Sequence, residues 1–295
     1  LVSDYHRALC EQGVTGYDLT SLIVGSEGTL AVFSEFTLKL VQKPSELVTI
    51  LALFDGVSAC ADAVTAILQR GFVPRCIELM DGATLDAIRG AGKDGAPIDP
   101  RAHAMLLLEL DDPQGEALLE RLANVLLGEA RAIDVQVAQD NARRAALWQA
   151  RRALSPVTKK IAKYKLSEDV VVPRSRMSEL LARVAEDCGR EGVRHLTYGH
   201  AGDGNLHVNF LWNDVSERPA VNRAISKLMH ATVELGGTLS GEHGIGITKL
   251  EYVPIEQPPA LIDLQHRIKQ SFDPAGILNP GKMFPAPGTH AHAPC

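Results

Sequence analysis

The sequence has no basic surplus: Lys and Arg total 30 against 36 Asp and Glu, a formal charge of −6 with pI near 5.9. A protein that neutralises nucleic-acid phosphates carries a basic excess or a basic stripe, so that class is excluded. The densest basic stretch, Lys159, Lys160, Lys163 and Lys165 followed by Arg174 and Arg176, is interrupted by Glu168 and Asp169. No run approaches the roughly 18 to 20 apolar residues that cross a bilayer, and no basic-then-apolar signal opens the chain. The five cysteines are odd in number, widely separated and without a CxxC pair, which points away from a disulfide framework or a thiolate zinc site. A soluble protein of a reducing cytoplasm, with peripheral membrane association left open, is the expectation. No GxGxxG follows a strand and opens a helix, so a nicotinamide enzyme is disfavoured. Leu1 rather than Met stands first, and the opening reads as the last part of a fold.

What is present suits a globular protein with one or two cores: 295 residues, 45% hydrophobic and 22% charged. The stretch 21-SLIVGSEGTLAVFSEFTLKLVQKP-44 reads as strand, Gly-rich turn and strand. Strands are expected over 46–54, 74–81, 103–111, 133–139 and 165–173. Helices are expected over 57–71, 83–90, 113–130, 141 to about 154 with Pro156 disturbing or ending the last, and 176–192. This alternation predicts an α+β fold: a largely antiparallel sheet with helices on one face, in a ferredoxin-like cap. From Val221 to Phe284 the pattern is mainly helical, broken by 236-GGTLSGEHGIG-246, and the tail 285–295 reads as disordered.

The stretch 198-YGHAGDGNLHVNF-210 concentrates the chemistry. Two strands, 193–200 and 206–212, flank the turn 201-AGDGN-205, and a hairpin sets the flanking residues within about 5 Å of one another. His200 and His207 could then share an ion, or form an ordinary cross-strand polar pair. Glu242 and His243 lie in 240-SGEHGIG-246, whose glycines permit close backbone approach. With Glu242 added, the set is two imidazoles and a carboxylate, an open shell suited to zinc or a related divalent ion. The alternative for Glu242 and His243 is an acidic cap on a helix N-terminus. In 147-LWQARRALSP-156, Arg151 and Ser155 share a helical face and could clamp a carboxylate; solvated helix charges are the alternative.

The motifs GYDLTSLIVGSEGTL, GHAGDGNLHVN, GGTLSGEHGIGITK and SFDPAGILNPGKMF, in this order over residues 16 to 284, resemble the FAD-linked oxidases of the vanillyl-alcohol-oxidase and para-cresol-methylhydroxylase superfamily. The branch with D-lactate dehydrogenase, D-2-hydroxyglutarate dehydrogenase and the glycolate oxidase FAD subunit is the most similar. The resemblance implies a C-terminal fragment without the family's N-terminal pyrophosphate lobe, expected to bind FAD weakly and to be inactive alone. Residues 1–44 would end the FAD-binding domain, 45–235 form the substrate or cap domain, and 236–284 return to the flavin. Gly25, Ser26, Glu27, Gly28, Thr29, Leu30 and Asn279 would contact FAD, although Asn-Pro-Gly is also a common turn; Ala31 stands where the family usually has a second glycine.

On the same resemblance, Arg151 binds the substrate carboxylate, with Ser155 where relatives often have Thr and Lys163 as a second cation; Arg152 takes the place of Arg151 if the register slips by one. His200, His207 and Glu242 would hold the metal and chelate a 2-hydroxy acid. His243, adjacent to a ligand and pointing elsewhere, would act as the base, and Asn205 would orient substrate or ligand. His195, His230 and His266 are expected in structural or surface roles, and His290 and His292, in the tail, as incidental metal binders. The implied activity is FAD-dependent oxidation of a D-2-hydroxy acid to the keto acid, in a homodimer or beside a partner subunit. The rivals are the same fold acting on another substrate class and a non-catalytic partner subunit.

Overall fold

The computed structural model describes residues 16–91, 98–111, 116–138 and 140–286. Cys10, Cys295, Gln139, His290, His292, most of the Gly/Asp loop after Ala91 and the tail from residue 287 lie outside the described residues. The chain divides into two compact units. Among the described residues one comprises 41–241, and the other 16–40 with 242–286.

The larger unit is built on seven strands: β1 (Leu47–Phe54), β2 (Cys76–Asp81), β3 (Ala104–Asp111), β4 (Asp134–Ala138), β5 (Tyr164–Val171), β6 (Arg194–His200) and β7 (Asn205–Trp212). All pairings are antiparallel, in the order β4-β1-β3-β2-β6-β7-β5. The α+β expectation therefore holds. Its first four strands follow the ferredoxin-like order, with one connection between β1 and β2 and another between β3 and β4 made by helices. The segment β5–β6–β7 repeats the order of β1–β2–β3, and the two halves join where β2 meets β6.

Ten α-helices are described: α1 (Leu19–Ile23), α2 (Val57–Gln69), α3 (Gly82–Arg89), α4 (Glu116–Asn124), α5 (Asn141–Leu147), α6 (Gln149–Ile161), α7 (Met177–Glu191), α8 (Arg218–Glu234), α9 (Val253–Glu256) and α10 (Pro259–Phe272). A π-helical turn, Val125–Glu129, continues α4. Helices cover both faces of the central strands, which extends the expectation of one covered face. Leu51, Leu53, Met105, Leu107 and Met80 point one way and pack with Leu85 and Ile88 of α3 and with Ala150, Ala153, Leu154 and Val157 of α6. Strand alternation sends Ile50, Ala52, Leu106 and Leu108, all buried, to the other face, where α2 meets β1, β2 and β3 and α7 lies between α2 and α8.

Two expectations of local structure are corrected. Pro156 does not end its helix: α6 runs on to Ile161 with Pro156 inside it, and the break falls at Trp148 instead. A proline in a helix interior costs about 3 kcal/mol. Burying Leu154 and Val157, 1% and 0% exposed, contributes roughly 1.5–3 kcal/mol each, enough to carry the helix past it. Residues 21–44 do not form strand, turn and strand; they form α1, capped by Asp18 on the Ser21 amide at 3.1 Å, and then irregular chain. Their β-branched and aromatic side chains favour a pleated, half-buried surface, but Val32, Phe36, Leu38 and Leu40 are exposed and no ladder partner occurs among the described residues.

In the smaller unit, Glu27 organises the loops. Its carboxylate accepts the amide protons of Ile245 and Gly246 at 2.7 and 2.8 Å, and its carbonyl accepts the Asn279 amide at 2.5 Å. The Lys269 ammonium donates to the carbonyls of Thr29 and Leu278, both at 2.7 Å, and to the Asp273 carboxylate. The Gly-rich stretch 241–246 is a series of bends rather than a helix start, so Glu242 and His243 are not N-terminal capping residues.

Candidate active site

The candidate site lies on the sheet face that carries α3 and α6, where β2, β6 and β7 run side by side. Glu78 of β2 stands directly across from His200 of β6, and Tyr198 of β6 across from His207 of β7. The expectation that His200 and His207 oppose one another is thus shifted by one pair: the two are diagonal neighbours. Diagonal positions remain within reach of long side chains, and the two imidazoles meet edge to face with ring centroids 5.3 Å apart.

Five side chains close a ring of contacts. The Glu78 carboxylate, almost fully buried, lies 2.5 Å from His200 Nδ1 through Oε1 and accepts Arg151 Nε–H at 2.7 Å through Oε2. The Arg151 guanidinium lies over the Tyr198 ring, 5.0 Å from its centroid. Tyr198 lies 5.9 Å from His207 between ring centroids, and His207 returns to His200. Arg151 reaches the sheet because α6 buries Ala150, Ala153, Leu154 and Val157, which turns position 151 toward β2.

The hairpin tip is tightly fitted. Asn205 is 5% exposed and its Oδ1 has no hydrogen-bond partner among the described residues. A side chain on Gly241 would have its Cβ 2.4 Å from Asn205 Nδ2, so only glycine lets the 236–241 loop close over Asn205. Asp169 of β5, directly across from His207, accepts the Gly241 amide proton at 2.7 Å and the Ser240 hydroxyl at 3.2 Å. Glu242 is the next residue in the chain.

Comparison with known proteins places this architecture. Residues 43–283 match the family described as FAD linked oxidases, C-terminal domain. The chain belongs to this family. It is 37% identical over 275 residues to glycolate oxidase subunit GlcD of Bacillus subtilis (strain 168), an alignment covering 92% of this chain and 58% of that protein. It is 33% identical over 279 residues to D-lactate dehydrogenase of Anaerostipes hadrus, covering 91% and 58%. The chain spans a little over half the length of these relatives. In fold it is similar to p-cresol methylhydroxylase, with a TM-score of 0.57 at 12% identity over 82% of this chain and 53% of that one. Alkyldihydroxyacetonephosphate synthase gives 0.59 at 14% identity over 90% and 49%. No helix among the described residues is long and apolar enough to cross a membrane.

In this FAD-linked oxidase domain the other expected site residues fall unevenly. Arg152 turns outward and donates to the Ala145 carbonyl, so the register favours Arg151. Ser155 is exposed. Lys163 is exposed, over the Tyr164 ring where β5 begins. Five strand residues, about 17 Å, separate Tyr164 from Asp169, which faces His207, so Lys163 does not join the ring. His243 does not point away from Glu242: its Nε2 lies 3.7 Å from Glu242 Oε1, both side chains half exposed. Both Glu27 carboxylate oxygens and Asn279 Nδ2 bond neighbouring backbone, as described above. Ser26, 4% exposed, keeps a hydroxyl without a hydrogen-bond partner among the described residues.

His195 is half-buried near Asp81; desolvation holds its pKa below the usual histidine value against the pull of that carboxylate. Burial likewise pushes Asp81 up, although its oxygens accept the amides of Thr84 at 2.8 Å and Thr197 at 3.0 Å. His230 and His266 bond the carbonyls of Ser226 and Pro285, both at 2.8 Å. Glu78, Tyr198 and Asp169 were not singled out as site residues by sequence reasoning. The available signal was charge in an apolar strand: Glu78 lies between Ile77 and Leu79, and Asp169 precedes a valine run.

Proposed function

We propose that this chain is the C-terminal part of an FAD-dependent enzyme that oxidises a small D-2-hydroxy acid to its 2-keto acid. The observation that carries the reading is the ring: one guanidinium and two imidazoles gathered on a single sheet face, in a family whose relatives include proteins named glycolate oxidase and D-lactate dehydrogenase. Such a substrate offers a carboxylate and a neighbouring hydroxyl. Arg151 uses only Nε on Glu78, which leaves its terminal nitrogens to hold the carboxylate in a planar fork.

The buried Ser26 hydroxyl, with hydrogen-bonding capacity unspent, fits a flavin contact in the segment Gly25 to Leu30. FAD, when bound, supplies the two-electron acceptor. His200 and His207 fit a divalent ion such as zinc, since perpendicular imidazoles at this spacing can each turn one nitrogen to a common point at about 2.0–2.1 Å. Glu242 is the proposed third ligand, supported by its tether to Gly241, which Asp169 and Asn205 fix in place. A divalent ion bound there supplies a Lewis-acid contact that makes the substrate hydroxyl more acidic. The role left for His243 is to take the hydroxyl proton on a ring nitrogen, and Asn205, with its free Oδ1, orients the substrate.

The test is anaerobic mixing of the full-length, flavin-loaded protein with glycolate, D-lactate or D-2-hydroxyglutarate. Rapid loss of the oxidised flavin's visible absorbance with at least one of these acids, and none with a phenol or a simple alcohol, is expected. Bleaching by the phenol alone would transfer the chain to the substrate class suggested by its p-cresol methylhydroxylase likeness. The word subunit in the name of the Bacillus relative supports association with a partner chain. A non-catalytic subunit would bleach with nothing.

A further inference from the structure

We propose that Glu78 is a positioning residue which sets two groups at once: the tautomer of His200 and the direction of Arg151. The inference rests on the 2-hydroxy-acid reading for its functional consequence, and on geometry alone for the positioning. The two carboxylate oxygens are divided between the partners, Oε1 to His200 Nδ1 and Oε2 to Arg151 Nε. The carboxylate is nearly inaccessible, so water cannot readily substitute for either partner. The strand pairing explains the reach, since Glu78 and His200 are directly opposed in the β2–β6 ladder and share a face.

Each contact has one chemical meaning. A carboxylate offers only acceptors, so the proton shared with His200 belongs to Nδ1, and in the neutral imidazole the lone pair then belongs to Nε2. A histidine fixed in this way presents Nε2 as its ligand atom, the arrangement in which an outer carboxylate orients a metal-binding imidazole. On the other side, Nε–H of Arg151 is the edge nearest its own stem. The bond to Glu78 is made through Nε and not through either Nη, and the Tyr198 ring under the guanidinium fixes its plane. One buried carboxylate thereby links the proposed carboxylate clamp to the proposed metal ligand. Loss of Glu78 disturbs both together.

The first measurement needs no substrate, flavin or metal. Long-range proton–nitrogen NMR of the metal-free 295-residue chain, with His200 assigned through His200→Gln, reads which ring nitrogen carries the proton. Protonated Nδ1 with an unprotonated Nε2 is expected in the wild type, and a shift toward Nε2–H in Glu78→Gln, whose amide nitrogen cannot accept. An Nε2–H tautomer in the wild type, or an unchanged His200 in Glu78→Gln, overturns the positioning role even if other variants fold poorly. The second measurement uses the full-length, flavin-loaded protein. Glu78→Gln is expected to weaken zinc retention against a chelator by about 10- to 100-fold and to raise KM for the hydroxy acid about tenfold or more. If Arg151→Ala raises KM and His200→Ala weakens zinc retention while Glu78→Gln does neither, Glu78 has no such role. If Arg151→Ala and His200→Ala leave KM and zinc retention unchanged, it is the 2-hydroxy-acid reading that fails, while the tautomer measurement still decides the positioning.

Discussion

Asp169 faces His207 across the β5–β7 ladder, and the same carboxylate accepts the amide proton of Gly241 at 2.7 Å. The strand paired against the one that carries this imidazole therefore also holds the chain one residue before Glu242. A sheet position and a loop position 72 residues apart are fixed by one side chain.

Gly241→Ala tests this closure. The added Cβ would lie 2.4 Å from Asn205 Nδ2 and 2.8 Å from Val171 Cγ2. Overpacking of this kind costs about 1–3 kcal/mol, so thermal melts should fall by several degrees and zinc binding should weaken. Gly189→Ala is the control: it sits inside α7 with nothing within 4 Å of the new Cβ, and is expected to gain roughly 0.5–1 kcal/mol. Equal melting temperatures for the two variants would contradict the account of the 236–241 loop.

Glu109 should make stability depend on acid. Burial alone would push its pKa up, but hydrogen bonds from Arg144 and Trp148 and from the Thr49 hydroxyl outweigh burial and hold it below the usual carboxylate range. A lowered folded-state pKa gives stability that is complete above the unfolded value of about 4.3 and is lost as pH falls through the folded value. The melting temperature of the wild type should therefore exceed that of Glu109→Gln at about pH 6, and the gap should narrow as pH falls below about 4. A gap that widens in acid would show that the carboxylate is not the group being protected.

The three cysteines among the described residues should be chemically quiet. Burial pushes the Cys60 thiol up, Cys76 up to about 11 and Cys188 up to about 12, so each is protonated at neutral pH and a poor nucleophile. Peptide-resolved mass spectrometry after brief alkylation should find Cys60 and Cys188 unlabelled in the native protein and labelled after unfolding. Native labelling of Cys188 as fast as a free thiol would require the α7–α8 layer to open.

Much of the fold was legible because it is local. The hairpin of β6 and β7 follows from a Gly-Asp-Gly turn between alternating strands, and α2, α3 and α7 from apolar periodicity. What stayed hidden depends on partners distant in sequence. Glu78 and His200 meet across 122 residues, and nothing in 74-PRCIELMD-81 announces that its acid will face a histidine. Pro156 misleads because its local cost is visible and the burial that offsets it is not. Residues 21–44 mislead in the opposite direction, since their composition suits a strand but a strand requires a ladder. The pairing of His200 with His207 was read from the turn, yet the register set Tyr198 opposite His207, and only side-chain length brings the imidazoles together.

The central claim, that Arg151 on this sheet face recognises the carboxylate of a 2-hydroxy acid, is tested most directly by one ratio. In the full-length, flavin-loaded protein, kcat/KM is measured for a hydroxy acid and for its neutral carboxamide, with wild type and with Arg151→Ala. The wild type should prefer the acid by about 10²-fold or more, as expected when a site built for a charged group meets its neutral analogue. Arg151→Ala should lose most of that preference through the acid alone, with little change for the amide. Equal losses for acid and amide, or an undiminished preference in the variant, would contradict it.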